Sequence, residues 1–311
     1  MNKIVTIIPC FNEEQTLLHL NNRLTNVLEN VLNYKYQVIY IDDGSTDKTW
    51  NKIQQLVKNN KNIQGIKLSR NFGHQNAIQA GLENASGDLI FIIDADLQDP
   101  PELLPKMIKK IEQGYDVVYG KRILRKGESK FKKISAYLYY RILNLLSDHK
   151  IPTDSGDFRL INKKALNAFL KFSENEKYIR GLFSFIGFKQ TFVQYARDER
   201  FRGETKYSLS KMLSLSFLGI TSFSNKPLLF PIWIGFIFGF LSLIFFIKII
   251  IDWNKGFNIQ GWTSIMAIIL LIGSLNFIIL GLIGEYLSRI FSETKNRPRY
   301  LIDEFKKNKT K

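Results

Sequence analysis

The sequence predicts an α/β domain with a doubly wound, mostly parallel sheet, followed by interfacial helices and a two-helix transmembrane hairpin. Three observations carry that expectation. Through the first 120 residues, short and almost continuously apolar runs alternate with helix-period segments. Strands of a parallel sheet are buried on both faces and lose their period-two alternation, and the helices between them supply the crossovers. Further on, the runs at 228–251 and 262–284 each exceed the roughly 20 residues needed to cross a ~30 Å hydrocarbon layer. Finally, carboxylates recur where the apolar runs end, the side of a parallel sheet at which ligands collect.

Taken in order, β-branched runs at 4–8, 37–41, 63–68, 89–93 and 116–119 read as strands. Leu17, Leu20, Leu24, Val27 and Val31 keep helical spacing, and Asn12 with Gln15 resembles a capping box. Helices are expected at 48–59, 74–84 and 102–113, the first of them capped by Ser45 or Thr46. From Gly120 to about Arg141 the chain turns basic and loop-like: Lys121, Arg122, Arg125, Lys126, Lys130, Lys132, Lys133 and Arg141 stand against Glu128 alone. Mixed compact sequence returns at 154–206. The expected units are therefore a cytoplasmic domain at 1–208, an interfacial amphipathic helix at 209–226, a membrane hairpin at 227–290 and a basic cytoplasmic tail at 291–311. Lys206, Lys211 and Lys226 on one flank and Arg289, Lys295, Arg297 and Arg299 on the other put both flanks in the cytoplasm. Gly235 and Gly239 have the small-xxx-small spacing that lets membrane helices approach, or are incidental. The expected location is the cell membrane, multi-pass.

Composition removes several classes. The 311 residues carry 44 Lys and Arg against 28 Asp and Glu, a formal net charge of +16. At 45% hydrophobic residues the chain is not a disordered one. A single cysteine, Cys10, excludes a disulfide scaffold and a cysteine-type zinc site. The apolar stretch near Met1 is too short for a signal peptide. No internal repeat is visible, and the glycine at Gly44 lacks the Gly-Lys-Ser/Thr ending of a P-loop. The basic excess leaves nucleic acid, anionic lipid or an anionic substrate as partners. Nucleic acid has no motif in its support.

Two motifs carry chemistry. Asp94-Ala95-Asp96 follows an apolar strand, and carboxylates one residue apart at a strand end suit Mg²⁺ held jointly with substrate phosphates; a solvated turn is the plainer alternative. Asp42-Asp43-Gly44-Ser45-Thr46-Asp47 reads as a turn and helix start, which leaves the two adjacent acids unexplained; sugar or base contacts would explain them. These stretches, with Ile8-Pro9-Cys10-Phe11-Asn12-Glu13-Glu14 and Arg70-Asn71-Phe72-Gly73, resemble the family 2 glycosyltransferases of the GT-A fold. Asp154-Ser155-Gly156-Asp157-Phe158-Arg159-Leu160, Arg202-Gly203-Glu204-Thr205-Lys206-Tyr207-Ser208 and Gly284-Glu285-Tyr286-Leu287-Ser288-Arg289 narrow the resemblance to the polyprenyl-phosphate glycosyltransferases, the group of bactoprenol glucosyltransferase and dolichyl-phosphate mannose synthase. The resemblance runs from Ile4 to about Tyr300.

That resemblance implies an inverting transfer of a hexose or N-acetylhexosamine from a nucleotide-diphosphate sugar, a UDP-sugar being favoured, to a polyprenyl phosphate for cell-envelope glycan modification. Mg²⁺ or Mn²⁺ would sit at Asp94 and Asp96. Pro9, Asn12, Glu13, Asp43, Ala95 and Gln98 would line the donor, and Arg200, Arg202 and Lys206 would neutralise its diphosphate. Arg122, Lys133 and Ser135 would grip the acceptor phosphate, and Asp157 would act as base or acceptor-orienting group, with Asp154 as its rival. Lys177 departs from the arginine expected there, and His74 reads as structural or merely near the site. A homo-oligomer is also expected. Two other functions are weighed. A processive polysaccharide synthase would need a Gln-x-x-Arg-Trp segment, and a catalytically silent adaptor would have lost a site carboxylate; neither feature is present.

Overall fold

The computed structural model describes residues 3–31, 34–125, 155–174, 178–197, positions 237, 240, 241, 244, 247, 248, 251 and 254, and residues 261–308. Eight strands form one sheet: β1 (Lys3–Cys10), β2 (Lys35–Asp42), β3 (Ile63–Leu68), β4 (Leu89–Ile92), β5 (Val117–Arg125), β6 (Ser155–Asn162), β7 (Gln190–Arg197) and β8 (Ile302–Lys307). Their spatial order is β7-β5-β6-β4-β1-β2-β3-β8. The four strands β3, β2, β1 and β4 run parallel, and β6 and β8 enter antiparallel beside β4 and β3. Helices α1 (Leu17–Asn26), α2 (Thr49–Asn59), α3 (His74–Glu83) and α4 (Leu104–Glu112) are the crossovers; α5 (Lys163–Phe169) and α6 (Ile179–Phe185) follow β6.

Successive residues of a strand point to opposite faces, and here both faces are covered. Ile4, Ile8, Tyr40 and Phe91 pack with Leu20, Leu24, Trp50, Leu104 and Phe158 on one side. Val5, Ile7, Ile39, Ile41, Ile90 and Ile92 pack with Ala77, Ile78, Phe169 and Phe183 on the other. That double burial is why the strands lack alternation in the sequence. β1 lies between β2 and β4, so the chain leaves it in opposite directions. The crevice above β1 is the switch point, bordered by Cys10, Asp42 and the turn after Ile92.

Two expected regions look different. The basic segment that begins at Gly120 is not loop at its start, because β5 continues through Arg125 alongside β7. The 291–311 stretch is more than a solvated tail: Ile302–Lys307 forms β8 against β3. Asp303 lies 3.2 Å from Lys67, Trp50 Nε1 donates to Glu304 Oε1 at 3.2 Å, and Tyr300 donates to Glu83. Four of its six residues are charged, which an edge strand tolerates and a buried one does not.

Helix α7 (Trp262–Thr294) has 33 residues, about 50 Å at 1.5 Å per residue. Its apolar side chains lie open to the surroundings, Phe277 at 77% and Ile278 at 71% exposure. Its 24-residue part Leu271–Thr294 is, among the described residues, the one stretch long and apolar enough to cross a membrane. The described positions between 237 and 254 are helical, and Ile237, Phe240, Leu241, Ile244, Ile247 and Ile251 are likewise exposed. The remainder of the first expected span and the expected interfacial helix lie outside the described residues.

Candidate active site

The loops after β1 and β2 are stitched to each other. Asn12 takes a left-handed conformation (φ 55°) in which its N–H donates to Ser45 Oγ at 2.9 Å and its Oδ1 accepts from Thr46 N at 2.8 Å. It therefore does not cap α1 as the sequence suggested. The helix starts after Thr16, whose hydroxyl donates to Glu13 Oε2 instead. Ser45 and Thr46, spent on Asn12, do not cap α2 either; Asp47 Oδ1 accepts from Thr49 N at 2.9 Å. Glu13 N donates to Thr49 Oγ1 at 2.9 Å, and Pro9 is buried beneath. Gly44 has φ +69° and a Cβ there would collide with the Arg70 backbone, so no side chain is compatible with this turn.

The two acids at the end of β2 have different partners. Asp43 accepts from Phe72 N at 2.7 Å and Gly73 N at 3.0 Å, one bond to each oxygen. It thus holds the turn that starts α3. Asp42 accepts from Ser45 N through Oδ1 at 3.1 Å, while its Oδ2 is buried without a hydrogen-bond partner. Burial pushes both carboxyls up, opposed by these N–H donors.

At the end of β4 the register decides what meets. Ile92 pairs with Arg159 of antiparallel β6, and continuing that pairing by two residues sets Asp94 opposite Asp157. Between them stands His74, the first residue of α3, with Nε2 at 3.4 Å from Asp94 Oδ1 and 3.4 Å from Asp157 Oδ2. Asp94 Oδ1 is buried and has no hydrogen-bond partner. Asp96 accepts from Gln98 N at 3.2 Å, and Ala95 is buried between the two acids. Burial raises the Asp94 carboxyl; His74 opposes this and Asp96 and Asp99 add to it, leaving it at about 6. Burial disfavours charge on His74, but Asp94 and Asp157 outweigh it and lift the imidazole to about 9.

Asp157 is held by several donors and cations. Arg180 of α6 grips it in fork geometry, Nε to Oδ1 and Nη2 to Oδ2, both at 3.0 Å. Gln75 Nε2 adds a bond at 3.2 Å, and Arg159 Nη2 stands 3.7 Å away. Burial pushes this carboxyl up, yet Arg180 and His74 more than offset it and hold it well below the usual carboxylate range. A group so held is a poor proton acceptor near neutrality and a good anchor. Arg122, on β5, donates from Nε to Tyr195 Oη at 3.2 Å and lies 3.7 Å from Asp99 Oδ1. The Cys10 thiol is buried and pushed well above its ordinary range by burial and by the surrounding acids, so it is no nucleophile.

Of the residues singled out from the sequence, Pro9, Asn12, Glu13, Asp43, Asp94, Ala95, Asp96, Gln98, Arg122 and Asp157 are described. Lys133, Ser135, Asp154, Lys177, Arg200, Arg202 and Lys206 lie outside the described residues. His74 is more central than expected, and Arg180, Gln75 and Tyr195 were not singled out at all. One signal for Arg180 was available: a lone arginine inside the apolar stretch 178–186 needs a buried counter-charge.

Asp94 and Asp96 fit a divalent cation. The buried Oδ1 of Asp94 accepts no hydrogen bond, with only the ion-pair contact to His74 beside it, and a second carboxylate stands two residues on. Among the described residues no group of three or more His, Cys, Asp or Glu side chains could hold a metal by itself. That suits a cation which draws its other ligands from substrate phosphates.

The family model described as glycosyl transferase family 2 matches residues 5–170. An uncharacterized glycosyltransferase, YkcC of Bacillus subtilis, is 42% identical over 96% of this chain and 92% of its own length. Bactoprenol glucosyl transferase of Shigella phage SfX is 35% identical over 96% of this chain and 98% of its own. Among solved structures, glucosyl-3-phosphoglycerate synthase from Mycobacterium tuberculosis, in complex with Mn²⁺, UDP and glucosyl-3-phosphoglycerate, superposes with a TM-score of 0.50 at 18% identity. That alignment covers 70% of this chain and 77% of that one, a likeness of fold. The mixed α/β sheet is GT-A-like. With the acids of the switch point in place and a family model over more than half its length, the chain belongs to glycosyl transferase family 2 and is a glycosyltransferase.

Proposed function

We propose that the enzyme moves a hexose or N-acetylhexosamine, with inversion, from a nucleotide-diphosphate sugar to a polyprenyl phosphate at the cytoplasmic face of the membrane. The observation that carries the donor side is the buried Asp94 Oδ1, which accepts no hydrogen bond and faces His74 Nε2 at 3.4 Å, next to Asp96 at the switch point. Two carboxylates there match Mg²⁺ or Mn²⁺ bound together with a diphosphate, and the cation would neutralise the leaving group's developing charge. The stitched loops of Asn12, Glu13 and Ser45 form the floor for the nucleoside. Asp43 serves it indirectly, by fixing the Phe72 and Gly73 turn. A UDP-sugar is the donor we favour.

On the acceptor side, support comes from the exposed apolar face of α7 and from the full-length likeness to bactoprenol glucosyl transferases. A phosphate monoester, with a second pKa of about 6, reaches the site already ionised. The reaction then needs little from a general base, which agrees with an Asp157 locked between Arg180 and His74. In this reading Asp157 orients: it fixes His74 beside Asp94 and keeps Arg180 within the site. Arg122, Lys133 and Ser135 grip the acceptor phosphate, and Arg200, Arg202 and Lys206 screen the diphosphate. The first apolar run joins α7 as a membrane hairpin.

The test is transfer of radiolabelled sugar from a panel of nucleotide sugars to polyprenyl phosphate in purified membranes. Wild type is expected to label the lipid with a divalent cation present, and Asp96→Asn to lose about 100-fold or more of that rate. Full metal-dependent transfer by Asp96→Asn would overturn the metal assignment.

A further inference from the structure

Three residues from distant parts of the chain meet beside the metal-bearing turn. Tyr195 of β7 donates its hydroxyl hydrogen to Asp99 Oδ1, and the Tyr195 hydroxyl oxygen accepts from Arg122 Nε at 3.2 Å. Arg122 Nη2 is 3.7 Å from Asp99 Oδ1, outside hydrogen-bond distance. Asp99 is completely buried and Tyr195 nearly so. Space for the guanidinium is provided by Gly156, where a Cβ would lie 2.5 Å from Arg122 Nη2. The turn that ends in Asp99 is itself strained, since Leu97, buried in the core, has φ 62°. Such a conformation persists only where both ends are fixed, and Asp99 is one of the fixed ends.

The geometry is peculiar for a cation and an anion in a dry place. With nothing between them, Asp99 would take Arg122 in a fork of two short bonds, as Asp157 takes Arg180. The Tyr195 hydroxyl stands in the way: it satisfies Asp99 as a donor and Arg122 as an acceptor, and so keeps the guanidinium from closing on the acid. We propose that Tyr195 is a positioning residue that holds Arg122 off Asp99, leaving its charge available to the phosphate of the lipid acceptor. This deepens the function proposed above and rests on its assignment of Arg122 to the acceptor. The buried-pair alternative, in which the triad only braces the sheet edge, makes a different prediction.

Tyr195→Phe separates them, because the ring keeps its edge contact with Phe158 at 5.5 Å and only the hydroxyl is lost. Steady-state transfer by the full-length enzyme in detergent, with UDP-sugar and polyprenyl phosphate varied in turn, is the measurement. The expected result is an acceptor KM raised about tenfold, the worth of one charge-assisted hydrogen bond, with donor KM and metal dependence within twofold of wild type. Adding Asp99→Asn to Tyr195→Phe removes the acid that captures Arg122 and should bring acceptor KM part of the way back. An unchanged acceptor KM in Tyr195→Phe overturns the proposal. So does a parallel rise in donor and acceptor KM, which is the mark of a turn that has lost its brace. Wild-type enzyme that labels some other acceptor but no polyprenyl phosphate would instead sink the proposed function, and that control is read first.

Discussion

The acids at the ends of β2 and β4 look alike in sequence and are unlike in structure. Asp43 has one backbone N–H on each oxygen and spends its charge inside the fold. Asp94 is only half-buried as a residue, yet its inward oxygen has no hydrogen-bond partner and its neighbours Asp96 and Asp157 are acids too. Desolvating a carboxylate costs several kcal/mol unless donors or charges repay it. The first acid is repaid by its own chain and is architecture. The second is repaid in part by His74, and the remainder is what a bound cation would supply.

The largest way to break this contrast is at Asp94. Asp94→Asn is expected to lower sugar transfer by about 100-fold or more while the protein melts close to the wild-type temperature. Substantial transfer, or a collapse in melting temperature, would make Asp94 architectural after all. Next comes Asp43→Asn, which can answer only one of the two N–H groups. It should cost about 1–3 kcal/mol of stability, read by thermal or denaturant unfolding, and wild-type stability would deny Asp43 its role in the turn. Smallest is a pH effect on His74. Its folded value of about 9 lies above the unfolded value of about 6.5, so its contribution is complete below pH ~6.5 and is lost as pH rises through 9. Melting temperature measured with chelator across that range should fall more in wild type than in His74→Gln. Saturating Mg²⁺ should shrink the difference, since a cation on Asp94 removes part of the charge that holds the proton on His74.

How much of this was legible depends on the range of the interactions. The strand at 63–68 coincides with β3, and 89–93 with β4 to within one residue, because dense β-branched runs between helices are a local signal. The acids at strand ends were equally visible. What joins them was not: Asp94 and Asp157, 63 residues apart in the chain, meet only through the antiparallel pairing that includes Ile92↔Arg159. His74 looked ordinary for the same reason, since nothing near it in sequence tells of two carboxylates. Capping went wrong where Asn12 and Ser45, both good local caps, found better partners in each other. And β8 has only Ile302 and Phe305 as apolar residues, three apart and so without strand alternation; its contacts are with Lys67 and Trp50, which lie far away in the chain.

That last strand sets a length. Seven residues, 295–301, separate the end of α7 from β8, and the chain enters the sheet at the Leu68 end of β3, where Ser69 N donates to Leu301 O at 2.9 Å. Fully extended they reach about 25 Å, so the switch-point end of the sheet cannot stray farther than that from the helix terminus. With α7 in a bilayer, so short a leash replaces a search through the cell's volume by one within a thin layer. The local concentration of any lipid headgroup there is set by the membrane rather than by the cytoplasm.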